Sequence, residues 1–302
     1  MENVKALIQE NLKDKSGEFK RVFHGRGGRF KGFEFLTVDS IDKVLFVIFF
    51  QECEENIEKE LLAFFETLGK KFAYESVVLQ RRYLPKAPSE TLYGVLNEQN
   101  FALENGLKYQ VNFLNNQNIG FFADMKNGRD FIATIAKGKK VLNLFSYSCS
   151  FSVVAIANGA SKVVNVDMSK QALSLGRQNH RLNHLSTSNV EFMPYNILKS
   201  WNRIKKSGPY DIIIIDPPSF QKGSFEATKD YEKIIRRSDE LSSADATILS
   251  CLNAPHLDSQ FIIEMFKTSA PEFIFQRRLD NVESFASLDE ERSLKNLVFK
   301  RI

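Results

Sequence analysis

VLNLFSYSCSFSVVAIANGASKVVNVD, residues Val141 to Asp167, is the stretch that indicates the fold of this chain. It begins with an apolar strand pattern, passes through a short loop of small and aromatic residues, and continues as a helix-compatible segment that ends at Gly159. A second apolar run, Lys162 to Val166, leads directly to Asp167. This order predicts two parallel strands joined by a helix, with the loop and the acid at the same edge of the sheet.

Asp167 follows the loop at a spacing of roughly twenty residues, at which doubly wound nucleotide-binding sheets place a carboxylate for the ribose hydroxyls. The amino terminus of the intervening helix faces the same crevice. The stretch therefore predicts binding of a ligand built on adenosine. The glycine fingerprint of nicotinamide dehydrogenases is missing from the loop, which disfavours that class of enzyme.

Alternating strand and helix patterns continue after Asp167. They predict seven strands, the last two without a clear helix between them. Tyr210–Ile215 is apolar at nearly every position, which is typical of a strand covered on both faces. The expected fold class is α/β, with a Rossmann-like seven-stranded sheet that is mostly parallel and has an antiparallel edge strand.

The part before this sheet divides into two further segments. Residues 1–75 predict a smaller α+β module, in which a helical pattern of apolar residues ends at Gly69. Residues 76–116 predict a β-rich connecting segment with a hairpin that turns at Asn105-Gly106. Residues 117–302 then form the main domain.

Composition indicates a globular protein with a sizeable core, because 43% of the 302 residues are hydrophobic and 26% are charged. The longest apolar runs are too short to span a membrane, and the amino terminus lacks a signal-peptide pattern, so we expect a cytoplasmic protein. Three scattered cysteines favour neither a disulfide framework nor a zinc cluster. His180 and His184 have a metal-compatible spacing, but without a third ligand we interpret them as a solvated helix face and expect no metal. The oligomeric state is not indicated.

A net charge of +4 is too small to demonstrate a nucleic-acid partner, but the cations are unevenly distributed. The segment Lys20–Lys31, KRVFHGRGGRFK, mixes cations, glycines and aromatic residues. This composition suits phosphate contacts and base stacking. A solvated turn with two core phenylalanines explains it equally well.

From Gln117 to Ile302 the chain resembles class I S-adenosylmethionine-dependent methyltransferases, and more narrowly the bacterial 23S ribosomal RNA methyltransferases that modify cytosine C5 or guanine N7. The motifs that carry the resemblance are NIGFFADMKNGR (118–129), VLNLFSY (141–147), VDMS (166–169), DPPSF (216–220) and KDY (229–231). The resemblance implies S-adenosylmethionine as the cofactor and RNA, ribosomal in origin, as the partner. Residues 1–75 do not match the RNA-binding domain usual in that family, so the particular RNA does not carry over.

The resemblance also implies which residues bind the cofactor. Asp167 would hold the ribose, Ile197 would pack on adenine, and Asn196, in place of the usual acid, would accept a hydrogen bond from the adenine amino group. The segment around Asp124 and Arg129 would close over the methionine end. The full set is Phe122, Asp124, Arg129, Asn143, Phe145, Ser146, Tyr147, Ser148, Asp167, Met168, Asn196, Ile197 and Asp216.

The loop departs from the family pattern, because Ser148, Cys149 and Ser150 stand where one or two glycines are usual. Serine and cysteine adopt a positive φ less readily than glycine does. This departure leads to one alternative, a non-catalytic RNA-binding protein on a methyltransferase scaffold.

The candidate catalytic residues are Asp216, Pro217, Phe220 and Cys251. Two prolines stiffen the DPPSF loop, so that its carboxylate and its aromatic ring would hold one geometry over a flat base. Cys251 ends the fifth strand, where pyrimidine C5 methyltransferases of similar architecture carry a nucleophile, and thiolate addition at C6 would activate cytosine C5. Cytosine C5 methylation of RNA through Cys251 is the leading hypothesis. Its closest rival is methylation of guanine N7 or another base nitrogen, which needs no thiol.

Overall fold

A computed structural model describes residues 1–14, 16–114, 117–221 and 225–302, except for the side chains of Phe220 and Gln221. The chain divides into two compact units. The first comprises Met1–Ala123 and Val282–Leu288, and the second comprises Asp124–Asn281 and Asp289–Ile302. Within these ranges no helix is long and apolar enough to cross a bilayer.

The first unit is built around a five-stranded sheet. The elements of this unit are α1 (Glu2–Asn11), β1 (Lys20–His24), β2 (Leu36–Ile41), β3 (Val44–Phe49), α2 (Glu55–Lys71), β4 (Ser76–Arg81), β5 (Ser89–Gly94), β6 (Asn100–Glu104) and β7 (Leu107–Val111). Strands β1 to β5 are neighbours in chain order, and all pairs are antiparallel except β3 with β4, which α2 connects. The apolar stripe of α2, which includes Leu61, Phe65 and Leu68, packs into the core of this unit.

Strands β6 and β7 form the predicted hairpin. Its turn residues Asn105 and Gly106 have φ values of 51° and 78°. Positive φ at both central positions is what a type I′ turn requires, and asparagine followed by glycine supplies it at little steric cost.

The predicted boundary at residue 75 falls inside the first sheet. Strands β4 and β5 come after it, yet they pair with β3 and with each other. Gly69 was expected to end α2, but the helix continues to Lys71. A Cβ at Gly69 would lie 2.7 Å from both Val77 and Tyr93, so this glycine allows the helix to lie close to the sheet. The functional roles predicted for residues 1–75, 76–116 and 117–302 stay predictions.

The second unit contains the predicted seven-stranded sheet. The elements of this unit are α3 (Lys126–Ile135), β8 (Lys140–Leu144), α4 (Ser150–Ala157), β9 (Lys162–Val166), α5 (Lys170–Leu182), β10 (Val190–Met193), α6 (Trp201–Lys206), β11 (Tyr210–Ile215), β12 (Phe220–Gln221), β13 (Phe225–Glu226), α7 (Ala227–Ile235), α8 (Ser238–Leu241), β14 (Ser242–Leu252), α9 (Ser259–Ser269), β15 (Phe273–Leu279) and β16 (Lys295–Arg301). The order across the sheet is β10-β9-β8-β11-β14-β16-β15. The Rossmann-like fold class is confirmed.

The antiparallel strand of this sheet is β16, which is inserted between β14 and β15. The edge position itself is taken by β15. The chain leaves β8 towards β9 and β10 on one side and returns to β11 and β14 on the other. Ligands of open parallel sheets bind at such a switch point, outside the carboxyl ends of the central strands.

Side chains alternate between the two faces of the sheet. One face of β11 and β14 carries Ile213, Ile215 and Ile248, which pack in the core beneath α7 and α9. The opposite face carries Ile214, Leu249 and Cys251, which pack in a second cluster together with residues of α3 and α4. The alternation therefore assigns Asn143 of β8 and Asn165 of β9 to the face covered by α3 and α4, because their strand neighbours Leu142, Leu144, Val164 and Val166 lie on the other face.

The pairing of β1 with β2 buries one ion pair in the first unit. Arg21 and Asp39 are register partners, and the guanidinium donates from Nε and Nη2 to the two carboxylate oxygens at 2.7 and 2.8 Å. Both side chains are largely shielded from water. A buried pair of this kind is destabilising when only one partner remains, because the remaining charge has lost its counterion.

Asp39→Asn is therefore expected to lower the free energy of unfolding by about 3–5 kcal/mol. The double variant Arg21→Met, Asp39→Leu should retain most of the stability, because no charge is left buried. Urea unfolding measures both. Glu55→Gln, which removes an exposed i,i+4 partner of Lys59, is the control and should change stability by less than about 1 kcal/mol. Equal losses in Asp39→Asn and in the control would contradict this account.

Candidate functional site

The loop after β8 has an unusual backbone. Phe145, Tyr147 and Cys149 all have positive φ, at 57°, 45° and 60°. Each such residue costs about 1–3 kcal/mol unless the surrounding structure over-determines it. The missing glycines therefore do not prevent the left-handed turn, which non-glycine residues adopt here at alternate positions.

Three hydrogen bonds hold this loop, one within it and two to neighbouring segments. The Tyr147 N–H donates to Asp167 Oδ2 at 2.9 Å, and the Cys149 N–H donates to the Ser146 carbonyl at 2.7 Å. From α5, the Asn179 amide donates to the Ser148 carbonyl at 2.9 Å. The loop is therefore held by contacts within the protein itself.

Gly176 in α5 provides the space that the loop needs. A Cβ at this position would lie 2.4 Å from Cys149 Sγ and 2.8 Å from Cys149 Cβ. Cys149 is fully buried, and burial raises the pKa of its thiol to about 12. It is therefore a packing residue, and the close approach is made possible by a glycine on the facing helix.

A buried polar chain runs beneath the loop. Asn143 donates to Asn165 Oδ1 at 2.9 Å, Asn165 donates to Ser152 Oγ at 3.0 Å, and Ser152 Oγ lies 3.1 Å from His180 Nε2. His180 Nδ1 lies 2.8 Å from the Gly176 carbonyl, which can only accept, so Nδ1 carries the proton and Ser152 donates to Nε2. The predicted solvated face is wrong for His180, which is buried because α5 packs on α4.

Four residues predicted to bind the ribose and adenine follow β9 and β10 at the carboxyl edge of the sheet. Asp167 follows β9, and its Oδ1 accepts the Ser169 N–H at 2.8 Å while Oδ2 accepts that of Tyr147. The Asn196 amide lies 3.6 Å from the Met168 sulfur. Asn196 Oδ1 is buried and has no hydrogen-bond partner within the described ranges, which is what an acceptor waiting for an adenine amino group would show. Ile197 is only 4% exposed and packs in the core, so it offers little surface to adenine.

At the other end of the crevice, Asp216 follows β11 and interacts with Asp124 and Arg129 near the start of α3. Burial and the carboxylate of Asp124 raise the pKa of Asp216 to about 7, while Arg129 opposes the shift. Two carboxyl groups and one guanidinium thus lie in one partly dehydrated site, which suits a cationic ligand with an amino and a carboxylate group. Phe122 belongs to the first unit and is 41% exposed, and its predicted role stays a prediction.

Tyr231 of α7 contacts the end of the strand from which the Asp216 loop begins. Ser250 Oγ lies 2.7 Å from the Tyr231 hydroxyl, which donates to the Cys251 carbonyl at 2.8 Å and lies 3.3 Å from that of Ile215. Tyr231 therefore fastens the ends of β11 and β14 together. Pro217 is buried, and the side chain of Phe220 lies outside the described residues. Phe225 packs on Phe145 with ring centroids 5.0 Å apart, which joins the two loops.

Cys251 is 0% exposed and lies in the apolar cluster with Met125, Leu249 and Leu279. Burial raises the pKa of its thiol well above the usual value, and the carboxyl groups of Asp216 and Asp124 raise it further. Its register partner on β16 is Asn296, which is also fully buried and whose two amide atoms have no partner among the described atoms. Sequence patterns missed Asn296, since only the insertion of β16 beside β14 places it here.

The strand order and the carboxylate after the second strand of the sheet define a Rossmann-like methyltransferase domain. A family model described as S-adenosylmethionine-dependent methyltransferase matches residues 20–300. The chain belongs to this family, and S-adenosylmethionine is its cofactor. Asp167, the Asn196 oxygen and the Asp124–Arg129–Asp216 group are residues of types that fit this cofactor.

Several relatives have more specific names. Ribosomal RNA large subunit methyltransferase I of Aeromonas hydrophila is 32% identical over 180 residues, which cover 58% of this chain and 45% of that protein. Ribosomal RNA large subunit methyltransferase K/L of Psychrobacter is 37% identical over 142 residues, 45% of this chain and 17% of that protein. The chain thus spans less than half the length of either relative. A methyltransferase solved as a complex with SAH superposes with a TM-score of 0.87 and 27% identity, covering 99% of this chain and 81% of that one.

Gly176→Ala should lower stability by about 1–3 kcal/mol and weaken S-adenosylmethionine binding, because the new methyl group would overlap Cys149. Adding Cys149→Gly should recover both properties, since it removes the overlap and also places a glycine at a positive φ. Urea unfolding and titration calorimetry measure the two effects.

Gly128→Ala in α3 is the matched control. A Cβ there would be no closer than 3.4 Å to its neighbours, so this change should leave stability unchanged or raise it by up to about 1 kcal/mol. Strictly additive effects of Gly176→Ala and Cys149→Gly would show that the two positions do not interact.

The raised pKa of Asp216 predicts a pH-dependent affinity. A cationic sulfonium favours the ionised carboxyl, so S-adenosylmethionine binding should weaken below about pH 7, by about tenfold per pH unit. S-adenosylhomocysteine, a neutral thioether, should show a much smaller dependence, and Asp216→Asn should abolish the difference. Titration calorimetry at several pH values around and below 7 measures both affinities. Identical pH profiles for the two ligands in the unmodified chain would contradict a contact between Asp216 and the sulfonium.

Proposed function

We propose that this chain methylates a base of RNA, ribosomal in origin, with S-adenosylmethionine as the methyl donor. The proposal is supported by the Asp216 loop, which is held by Tyr231 and lies at the same carboxyl edge of the sheet as Asp167. The names of the relatives support ribosomal RNA as the substrate. A cytoplasmic location is part of the proposal.

The cofactor supplies an electrophilic methyl group on a sulfonium centre. In the proposal, Asp167 and Asn196 bind the adenosine part, and the group of Asp124, Arg129 and Asp216 binds the methionine part. Pro217 limits the backbone freedom of the loop that positions the target base. The remaining choice is the atom that receives the methyl group.

The first candidate is cytosine C5 with Cys251 as the nucleophile. The thiolate would add to C6, C5 would take the methyl group, and loss of the C5 proton would then expel the sulfur and restore the ring. This chemistry needs an ionised, accessible thiol. Cys251 must therefore lose a proton in surroundings that raise its pKa, and it must become exposed to the base.

The second candidate is a base nitrogen such as guanine N7, and the surroundings of Cys251 favour it. N7 carries its own lone pair, so no covalent intermediate is needed and correct positioning suffices. The product is a cationic base. The carboxyl groups of Asp124 and Asp216 would stabilise the positive charge as it moves from sulfur to the base.

The purified chain, incubated with ribosomal RNA and S-adenosylmethionine, should yield a methylated base nucleoside that mass spectrometry identifies. Under the first candidate, Cys251→Ala abolishes methyl transfer and 5-fluorocytidine RNA traps a covalent complex. Under the second, Cys251→Ala retains activity and no complex is trapped. Cys53→Ala, which removes a cysteine of the first unit, is the control and should be fully active.

Cofactor binding, measured by calorimetry in each variant, separates loss of chemistry from loss of folding. Failure of the unmodified chain to bind S-adenosylmethionine at millimolar concentration would favour a non-catalytic RNA-binding protein. Cofactor binding without any methyl transfer to RNA would reject an RNA substrate.

A further inference from the structure

The basic segment of the first unit meets two other segments around one aromatic ring. The guanidinium carbon of Arg26 lies 4.1 Å from the centre of the Phe50 ring, and that of Arg82 lies 5.4 Å from the same centre. Phe50 follows β3 and Arg82 follows β4. Because β3 and β4 are parallel and Phe49 is the register partner of Arg81, Phe50 and Arg82 lie side by side at the carboxyl edge of this sheet.

The third arginine of this region, Arg21, already has its partners. Two of its nitrogens donate to Asp39, a third lies 3.1 Å from His24 Nδ1, and its guanidinium lies 4.3 Å from the Phe285 ring centre. Burial, Arg21 and Arg26 lower the pKa of His24 to about 3, so the imidazole is neutral and accepts from Arg21. Arg21 and His24 are therefore structural members of the cluster.

Arg26 and Arg82 differ from Arg21 in this respect. Among the described side chains, neither forms a salt bridge with a carboxylate, and Arg82 donates only to the neutral amide oxygen of Asn118, at 2.7 Å. Burial lowers the pKa of both guanidinium groups, and repulsion from Arg21, and for Arg82 also from Arg26, lowers it further. Two positive charges thus lie close together over one ring, without a carboxylate partner among the described side chains.

Close backbone packing fixes the position of the turn that carries Arg26. A Cβ at Gly25 would lie 1.8 Å from the Phe33 carbonyl oxygen, and one at Gly27 would lie 2.3 Å from that of Ala286. The Gly27 carbonyl also accepts the Leu288 N–H at 2.8 Å. These glycines allow the close approach, so packing within the first unit determines the conformation of the turn.

Solvent reaches the cluster. Arg26 is exposed as a whole residue although neighbouring groups partly cover its guanidinium, and Arg82 and Phe50 are half-buried. Arg29 and Lys31, further along the same segment, are exposed as well. Guanidinium groups bind phosphate oxygens through paired N–H donors, and the Phe50 ring that both groups contact keeps them near one another.

We propose that Arg26 and Arg82, arranged around Phe50, form a binding site for the phosphodiester backbone of RNA in the first unit. This inference rests on the proposed RNA substrate and adds to it a second site, whose contacts are independent of the base that is methylated. The site would supply affinity and leave sequence selection to other contacts.

The test measures binding of the full chain to a fluorescein-labelled oligouridylate over a range of salt concentrations. Each phosphate contact on a single strand contributes about 0.7 to the slope of log affinity against log salt. Arg26→Gln, Arg82→Gln should therefore lower that slope by about 1.4 and weaken binding roughly tenfold at low salt. Affinity for S-adenosylmethionine should not change.

Lys43→Gln, Lys59→Gln is the matched control. Both lysines are exposed cations of the first unit that pair with glutamates, so the control removes the same net charge at other places. It should leave the slope nearly unchanged. Arg26→Lys, Arg82→Lys keeps the charge but loses the paired donors, and it should recover the slope but only part of the affinity.

Stability provides a separate readout. Loss of the repulsion between cations and loss of the contacts with Phe50 and Asn118 act in opposite directions, so the glutamine pair should unfold close to the temperature of the unmodified chain. Arginines with a purely structural role would lower the unfolding temperature strongly when replaced. If the glutamine pair fails to fold, the lysine pair provides the test. A lysine pair that binds oligouridylate as tightly as the unmodified chain does would contradict recognition of phosphate by paired guanidinium donors.

An unchanged slope in the glutamine pair, or absence of oligouridylate binding in the unmodified chain, would overturn the inference. So would arginine-dependent binding to vesicles of anionic lipid or to inorganic phosphate, without binding to RNA. If the slope falls in the glutamine pair but the unmodified chain transfers no methyl group to RNA, the proposed function is rejected and the binding site is kept. If the unmodified chain methylates RNA but the slope is unchanged in the glutamine pair, the binding site is rejected and the proposed function is kept.

Discussion

The hydrogen bond from the Tyr147 N–H to Asp167 is the contact on which the crevice depends, because it ties the loop after β8 to the strand beside it. Three residues of this loop have a backbone conformation that L side chains rarely adopt. Asp167 compensates part of that strain and is at the same time the carboxylate expected to hold the ribose. One side chain therefore holds the loop and is also predicted to contact the ligand, so its loss should affect both together. The buried chain from Asn143 to His180 supports the same loop from below.

The charges around Asp216 place conflicting demands on this site. Two carboxyl groups near one guanidinium suit a cationic methyl donor, yet the same carboxyl groups raise the pKa of the Cys251 thiol. Surroundings that favour the cofactor thus disfavour a thiolate. Methylation of a base nitrogen avoids this conflict, whereas a thiol mechanism requires movement that exposes Cys251 and a base that accepts its proton.

Features set by local pattern could be predicted from the sequence. Lys162–Val166 and Tyr210–Ile215 are strands as expected, since each is a short apolar run with clear polar ends, and Asn105-Gly106 turns the hairpin that these two residues specify. Features that depend on residues far apart in the sequence could not be predicted in this way. Gly69 lies within a helix at a point where Val77 and Tyr93 leave no room for a Cβ, and the accessibility of Cys251 depends on neighbours supplied by α3 and β15. Asp167 could be placed from its spacing, while its second role as an acceptor for the loop appears only in three dimensions.

The two units carry local charge of opposite sign. In the first, Arg26 and Arg82 have lowered pKa values because burial and neighbouring cations disfavour their charge. In the second, Asp216 has a raised pKa because burial and a neighbouring carboxylate disfavour its charge. Charge that folding does not favour is expected where a ligand of the opposite sign supplies the compensation. A sulfonium donor and a polyanionic acceptor are such ligands, so the same electrostatic reasoning, applied to each unit by itself, leads to both substrates of the proposed reaction.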